Sequence, residues 1–245
     1  MKIISVGSGS KGNCFFIQDQ NTSIMLDCGM GIKMIRKARS LYHIDTIDGL
    51  LLTHGHSDHI KCKNYFKDIC SYALDAQLKP DYCCNNMESF KINQLTITPF
   101  ALSHDAPNTC GYLIENDAEK VFYCTDTGYI PTSVLDIGKN CTYYIIESNH
   151  DIDLLMATNR PYVLKSRILG DSGHLNNQDC AYYLSQMVGN NTQQIYLAHI
   201  SQQANNALLA YQVNHDYLND KGWNIPITVL KQDEIMEGGA NAQVL

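Results

Sequence analysis

Residues 51–60 read LLTHGHSDHI and hold three of the chain's nine histidines beside an aspartate, namely His54, His56, Asp58 and His59. The pattern follows apolar residues 49–52, which predict a short strand, and loops that leave strands commonly carry functional groups. In a turning loop, His54 and His56 can point one way while Asp58 and His59 point toward a neighbouring spot. Imidazole and carboxylate groups arranged in this way suit a pair of divalent cations. A functionless surface turn is the other interpretation, and the pattern alone does not fix a reaction.

Four further residues with side chains that can bind metal each interrupt an apolar, strand-like run elsewhere in the chain. They are Asp27 after SIML, His104 after PFALS, Asp126 after VFYCT and His199 after IYLA. Any one of them alone would more often be an ordinary residue at the end of a strand. Together with the histidine cluster they favour one site that is assembled from several strand ends.

The order of predicted elements indicates an α/β fold. Strands predominate in the first half, where helices are predicted over residues 32–42 and 58–69, the second capped by Ser57 or Asp58. In the second half, helices predicted over residues 150–157, 161–169, 176–188 and 205–219 are interspersed with strands. Because no linker or composition break is visible, residues 1–245 are predicted to form one domain with two sheets and helices outside them.

Composition limits the location and the partners. No apolar run reaches the roughly 18 residues of a membrane span, and the N-terminus lacks the apolar stretch of a secretory signal. We therefore expect no membrane partner, a cytoplasmic location, and free thiols at the ten cysteines. The net charge of −7 does not attract nucleic acid as a whole, so such a partner would need a local basic patch. Residues 31–40 and 159–168 could each supply one.

The five motifs, in this order along the chain, resemble those of the metallo-β-lactamase superfamily: DCG at residues 27–29, HGHSDH at 54–59, SHDA at 103–106, YCTDTG at 123–128 and LAHIS at 197–201. The resemblance covers nearly the whole chain and implies a four-layer αββα sandwich that holds two divalent metal ions, zinc or manganese, with iron also possible. It implies that His54, His56 and His104 bind one metal, that Asp58, His59 and His199 bind the other, and that Asp126 bridges them. Asp27 would orient a ligand histidine through a hydrogen bond.

Two features resemble a narrower branch of this superfamily. The segment LGDSGHLNNQDCA, which contains His174, is similar to phosphodiesterases that include tRNA 3′-processing enzymes. There a histidine lies near the scissile phosphate, so His174 could protonate a leaving oxygen while Glu147 fixes its tautomer. The stretches SVGSGSKGNCFFI and ESNHD resemble the YycJ/WalJ-type group, which are 5′→3′ DNA exonucleases. No role is assigned to His150 of ESNHD.

This resemblance implies a metal-dependent phosphodiesterase that attacks phosphorus with a hydroxide activated by the two metal ions, with Asp58, His174 and Glu147 as catalytic residues. The substrate is then the end of a DNA strand, or of RNA. The Gly-Ser loop, with Ser8, Ser10 and Asn13, could receive a phosphate on its backbone N–H groups. Lys33, Arg36 and Arg167 could position the nucleotides beyond the reacting phosphate.

Three alternatives from other classes stay open. A small-molecule metallohydrolase, acting on a cyclic phosphodiester or a thioester, would share the metals but need no basic track. A redox di-iron protein would normally have a carboxylate at the position of His56. A metal-stabilised binding module would bind DNA and cleave nothing.

Overall fold

Two seven-stranded sheets form the centre of the molecule in a computed structural model that describes residues 1–239. The first sheet has the strand order β14-β1-β2-β3-β4-β5-β6. Its strands are β1 (Lys2–Gly7), β2 (Cys14–Asp19), β3 (Thr22–Leu26), β4 (Gly49–Leu51), β5 (Ser71–Ala73), β6 (Tyr82–Cys83) and β14 (Met236–Gly239). Antiparallel pairing joins β14, β1, β2 and β3, and parallel pairing continues from β3 to β6.

The second sheet repeats this mixture of antiparallel and parallel pairing in the order β13-β12-β11-β10-β9-β8-β7. Its strands are β7 (Phe90–Ile92), β8 (Leu95–Ala101), β9 (Cys110–Glu115), β10 (Lys120–Cys124), β11 (Tyr143–Glu147), β12 (Gln194–Ala198) and β13 (Ile227–Val229). Strands β7 to β10 are antiparallel neighbours, whereas β10 to β13 run parallel. The parallel strands deliver their carboxyl ends to one edge of the sheet.

Helices cover the outer face of each sheet. They are α1 (Ile32–Leu41), α2 (Ser57–Ile60), α3 (Thr132–Ile137), α4 (Ile152–Ala157), α5 (Tyr162–Leu169), α6 (Asn177–Met187) and α7 (Ala207–Asp220). Side-chain oxygens cap three of the helices predicted for the second half, because Asp151, Asn176 and Asn206 accept backbone N–H groups at the starts of α4, α6 and α7.

The side chains of the strands alternate between two apolar cores. Phe15 of β2 and Tyr123 of β10 face the core between the sheets, and their neighbours Phe16 and Phe122 face the helices. Alternation of this kind follows from the two-residue period of a strand, and it makes both faces of each sheet apolar. Three cores stacked between four layers confirm the predicted αββα sandwich.

The helix predicted over residues 58–69 is wrong in extent. Helix α2 ends at Ile60, and a separate 3₁₀ turn over Lys63–Phe66 follows it. The N-cap residue is His56, and neither Ser57 nor Asp58 caps the helix, since both lie inside it. The short strands β5, β6 and β14 and helix α3 carry no pattern that the sequence analysis had picked out.

Candidate metal centre

The carboxyl ends of strands from both sheets meet at one edge of the sandwich and carry the predicted site residues. Asp27 follows β3, His54 follows β4 and His104 follows β8. In the second sheet, Glu147 ends β11, while Asp126 and His199 follow β10 and β12. The structure therefore brings together side chains that lie up to 172 positions apart in the sequence, from Asp27 to His199.

Three of these residues adopt a left-handed backbone conformation. The φ angles are 55° at Asp27, 60° at Asp126 and 53° at His199. Positive φ is uncommon for residues other than glycine, and it tends to occur at functional sites. Here it turns the chain sharply at the ends of β3, β10 and β12, so that each side chain faces the common edge.

The loop after β3 and the Gly-Ser loop after β1 hold the histidine segment by its backbone. The N–H groups of Asn13 and Cys28 donate to the carbonyl oxygens of Asp58 and His59, each at 2.7 Å. A Cβ atom on Gly29 would overlap the Asp58 carbonyl, so only glycine permits this close approach. This packing fixes the direction in which Asp58 and His59 leave the chain.

His54, His56 and His104 form one group whose ring nitrogens lie within 4.8 Å of one another. The Nδ1 atom of His54 lies 3.0 Å from Thr53 Oγ1, and the Nδ1 atom of His104 lies 3.1 Å from the Gly173 carbonyl oxygen. The Nδ1 side of both rings is therefore engaged by the protein. The Nε2 atom of His54 has no hydrogen-bond partner within residues 1–239, and three imidazoles at this spacing could hold one cation.

Asp58, His59 and His199 form a second group of the same kind. Asp27 Oδ2 lies 2.7 Å from His59 Nδ1, and both side chains are fully buried, so this contact can fix the orientation of the His59 ring. Asp126 lies between the two groups, with Oδ2 at 3.1 Å from His59 Nε2 and Oδ1 at 4.0 Å from His104 Nε2. Its two oxygens could serve one cation each.

The unpaired atoms of this cluster fit divalent cations. His54 Nε2 and His199 Nε2 are buried without a hydrogen-bond partner among residues 1–239. Burial, assisted by the neighbouring His59, keeps the pKa of His54 far below its usual value, so the ring is neutral and one of its two nitrogens has a free lone pair. Burial would also lower the pKa of His59, but the carboxylates of Asp27 and Asp126 raise it to about 10. The site thus attracts positive charge, and either a proton or a metal ion can supply that charge.

Glu147 contacts two histidines rather than the one expected. Its Oε1 atom lies 2.6 Å from His174 Nδ1 and 3.0 Å from His199 Nδ1. Burial alone would raise the pKa of Glu147, but the neighbouring His174 and the hydrogen bonds to both rings lower it to about 2. Burial would likewise lower the pKa of His174, and the charge of Glu147 raises it instead. The His174 side chain is 19% exposed, so the ring can reach a substrate.

Asp105 is a residue of the site that the sequence analysis missed. Its Oδ1 atom lies 3.1 Å from His104 Nε2 and 3.6 Å from His56 Nε2, and its Oδ2 atom lies 2.9 Å from Arg167 Nη1. Arg167 therefore lies at the rim of the site, where it is paired with a carboxylate. The only hint of Asp105 in the sequence was that the motif SHDA has an acidic residue directly after His104.

The other residues selected for substrate binding differ in their positions. Ser8 is buried, and its hydroxyl accepts the N–H of His199, so it braces the site from within. Asn13 is also buried, with Nδ2 at 3.0 Å from His59 Nε2. Ser10, Lys33 and Arg36 are more exposed, and no contact joins them to the histidine cluster within the part of the chain that the structure describes.

Most of the Gly-Ser loop is not free to receive a phosphate. The N–H groups of Ser8, Gly9, Gly12 and Asn13 all donate to protein oxygens. The predicted backbone cradle is thus reduced to Ser10 and Lys11. His150, to which no role was assigned, is fully buried behind the site, where burial lowers its pKa to about 4.

Comparison with known proteins agrees with this architecture. A family model described as "Beta-lactamase superfamily domain" matches residues 22–200, so the chain belongs to the β-lactamase superfamily. A protein named exodeoxyribonuclease YycJ from Bacillus anthracis is 29% identical over 241 residues, which is 90% of each chain. Exodeoxyribonuclease WalJ from Streptococcus pneumoniae serotype 2 is 31% identical over 227 residues and 84% of each chain. The resemblance to the YycJ/WalJ group is thereby confirmed.

A solved structure extends the comparison to the fold. The metallo-β-lactamase fold protein YhfI from Bacillus subtilis superposes with a TM-score of 0.67 over 97% of this chain and 98% of its own, at 17% identity. Family and site together define a metal-dependent hydrolase. None of the helices within residues 1–239 combines the length and hydrophobicity that a bilayer span requires.

Proposed function

We propose that this hydrolase is a 5′→3′ DNA exonuclease that works at a dinuclear metal centre. The observation that carries the proposal is the Glu147–His174 contact of 2.6 Å at the edge of the histidine cluster. A thioester releases a weakly basic thiolate that can leave without a proton, whereas the alkoxide released from a phosphodiester requires one. The names of the YycJ and WalJ relatives point to DNA as the polymer.

In this proposal His54, His56 and His104 would hold one cation, Asp58, His59 and His199 would hold the other, and Asp126 would be available to either. The donor set of imidazoles and carboxylates suits zinc or manganese, and iron is the remaining candidate. When bound, such cations supply Lewis acidity to the scissile phosphate and to the attacking water. Asp27 holds the His59 ring so that its Nε2 atom lies toward Asp126 and Asp58.

His174 acts as the general acid. Its Nδ1–H donates to Glu147, so Nε2 is directed away from the carboxylate. The buried, ionised Glu147 favours the protonated imidazole and fixes the ring. A proton on Nε2 can then pass to the leaving 3′ oxygen of the phosphodiester, after which the ring returns to its neutral form.

The substrate end is bound at the rim. Arg167 exchanges its carboxylate partner Asp105 for a phosphate oxygen, and Lys33 and Arg36, on one side of α1, contact phosphates farther along the strand. We also propose that residues 1–245 constitute one hydrolase domain. A cytoplasmic location is supported by its ten cysteines, all of which are free.

The test is a comparison of substrates under zinc, manganese and magnesium. We expect hydrolysis of 5′-phosphorylated DNA from the 5′ end, little hydrolysis of RNA, and weak activity on bis-p-nitrophenyl phosphate. An Asp58→Ala variant serves as the control for a contaminating nuclease. Hydrolysis of a thioester or a cyclic phosphodiester in preference to DNA would favour the small-molecule alternative and contradict the proposal.

A further inference from the structure

The lysines and arginines of the molecule are paired unevenly. Six of the eighteen form a salt bridge with a carboxylate within residues 1–239, and none of these six lies between residues 33 and 79. That stretch carries eight cations and five acidic residues, whereas the rest of the chain carries ten and twenty. Its eight cations are Lys33, Arg36, Lys37, Arg39, Lys61, Lys63, Lys67 and Lys79.

A depression of about 250 Å³ lies among these cations, between α1 and the 3₁₀ turn over residues 63–66. Arg36 and Arg39 form part of the wall on the side of α1, and Tyr65 lies on the opposite wall. The apolar side chains of Phe66 and Ile69 complete the lining on the side of the turn. The depression thus combines two guanidinium groups with an aromatic ring.

A second depression of about 260 Å³ adjoins the first, with which it shares two apolar lining residues. Its lining includes Lys63, Lys67 and Lys79. Lys63 donates to backbone carbonyls there, whereas Lys67 and Lys79 are exposed. One carboxylate, Asp81, also lines it and accepts hydrogen bonds from Ser71. We call the two depressions together the basic groove.

The acidic residues between positions 33 and 79 do little to neutralise the basic groove. Asp58 belongs to the candidate metal centre. Asp48 accepts a backbone N–H of β3, and the buried Asp75 accepts the N–H two residues further on. Only Asp45 and Asp68 are exposed. A chain of net charge −7 therefore keeps an excess of positive charge on this surface, which is the electrostatic signature of a site for a polyanion.

The two arginines offer different contacts to a phosphate. Arg39 donates from Nε to the Ile44 carbonyl at 3.0 Å and from Nη2 to the Asp45 carbonyl at 2.7 Å, so its guanidinium is held in place. Arg36 is exposed and makes no hydrogen bond or ion pair among residues 1–239. One cation is thus fixed and the other can adjust, and guanidinium groups bind phosphate with two parallel hydrogen bonds.

The basic groove is joined to the candidate metal centre by hydrogen-bonded backbone. The N–H of Cys62, just before the 3₁₀ turn, donates to the Cys28 carbonyl at 2.9 Å, and the N–H of Cys28 donates to the carbonyl of His59 at 2.7 Å. On the other wall, Ile32 lines the groove five positions after Asp27. A strand whose end lies at the centre can therefore continue into the groove.

Tyr65 indicates which polyanion the groove suits. Its side chain is 62% exposed, which leaves the ring open beside the arginines. An exposed aromatic ring in a basic groove is the surface on which bases of single-stranded nucleic acid stack. A duplex keeps its bases stacked inside and would leave this ring unused.

We propose that the basic groove binds the single-stranded DNA that continues from the end held at the metal centre. One base stacks on Tyr65, its neighbouring phosphates contact Arg36 and Arg39, and the phosphates beyond contact Lys67 and Lys79. The inference rests on the proposed exonuclease function and gives the polymer a path across the outer side of the first sheet. Because stacking uses the face of a base, the groove binds single strands of any sequence in preference to a duplex.

The first test measures binding of an oligothymidine of about 15 nucleotides by fluorescence anisotropy, without added divalent cations. We expect Tyr65→Ser to raise the Kd about tenfold, the size of one lost base–aromatic stack, and Tyr65→Phe to keep the original Kd. Tyr182→Ser, at an exposed tyrosine of α6, is the matched control and should change nothing. Tighter binding of a duplex than of the single strand would overturn the proposal.

The second test removes charge from both depressions. For the double variant Arg36→Gln with Lys67→Gln, a plot of the logarithm of oligothymidine affinity against the logarithm of salt concentration should lose about 1.4 in slope, since each phosphate contact to a single strand contributes about 0.7. Lys139→Gln with Lys221→Gln, at exposed lysines beside the helices of the second sheet, is the control and should keep the slope. An unchanged slope in the first variant would refute the groove.

The third test separates the groove from the exonuclease. Tyr65→Ser should raise KM about tenfold for the 5′-phosphorylated oligothymidine and leave KM unchanged for a 5′-phosphorylated dinucleotide, which is too short to reach the groove. Equal effects on both substrates would refute the groove and leave the exonuclease intact. Binding of single-stranded DNA that depends on Tyr65 and Arg36, without hydrolysis under any divalent ion, would support the groove and refute the exonuclease.

Discussion

The Asp27–His59 pair and the Glu147–His174 pair lie on opposite sides of the centre and use the same contact. In each, a fully buried carboxylate oxygen meets an imidazole Nδ1, at 2.7 Å in the first pair and 2.6 Å in the second. The surroundings of the other ring nitrogen differ. His59 is fully buried with Asp126 and Asp58 near its Nε2, whereas the His174 side chain is 19% exposed.

This difference shows how one structural device can serve two kinds of chemistry. Where the second nitrogen faces carboxylates inside the protein, the ring is placed to hold a cation. Where the ring is partly exposed, as at His174, the proposed mechanism has it exchange a proton with a substrate. Removal of one pair should therefore affect metal content, and removal of the other should affect the chemical step.

The largest effect is expected for Asp58→Ala, which removes a carboxylate from the second metal group. Turnover should fall to the background rate, and the metal content of the purified protein should fall with it. Without Asp58, the remaining His59 and His199 do not complete a metal site. Elemental analysis and DNA hydrolysis measure both. Asp153→Ala, on the exposed face of α4, is the control, and an Asp58→Ala protein with full metal content would contradict the ligand assignment.

The next largest effect is expected for His174→Ala. Loss of a general acid should lower kcat roughly 10²–10⁴-fold while the metal content stays unchanged. His215→Ala, at a partly exposed histidine of α7, should leave both quantities intact. Loss of metal from His174→Ala would mean that the cluster of Asp126, Glu147, His174 and His199 binds a cation and that His174 is a ligand.

A sharper test exchanges the two carboxylates for amides. Asp27→Asn should weaken metal affinity roughly 10–100-fold, and excess metal should restore turnover, because only the orientation of His59 is affected. Glu147→Gln should not be rescued by excess metal, since Glu147 also holds the proposed acid His174. Equal rescue of both variants would remove the distinction between the two pairs.

The smallest effect is expected at the rim. Arg167→Ala should raise the KM for DNA about fivefold with little change in kcat, because one partly exposed cation contributes about 1 kcal/mol. In a plot of the logarithm of DNA affinity against the logarithm of salt concentration, the slope should fall in magnitude by about one for Arg167→Ala. The Arg167→Lys variant should keep the original slope. An unchanged slope would mean that Arg167 serves only to hold Asp105.

The positions of the candidate metal-binding side chains were predictable because several of them interrupt an apolar run, and a strand that ends in a polar residue is visible in the sequence. Asp126 and His199 were found in this way. Asp105 was missed because it follows His104 directly, and sequence spacing does not show on which side of a loop a side chain emerges.

Other errors have a similar physical origin. Residues 58–69 have helical character, but Gly29 and Cys28 pack against the backbone of Asp58 and His59, and the chain turns away after Ile60. Tertiary contacts thus outweigh local propensity there. The strands β5 and β6 have only three and two residues, which are too few to show a periodicity of their own.

The left-handed backbone at Asp27, Asp126 and His199 has an evolutionary consequence. A residue with a Cβ atom pays roughly 1–2 kcal/mol for this conformation, and glycine adopts it freely. A descendant that is no longer selected for hydrolysis would gain folding stability by acquiring glycine at these three positions, and most of all at position 199. Paralogues that have become inactive scaffolds should therefore be recognisable by glycines at the ends of β3, β10 and β12.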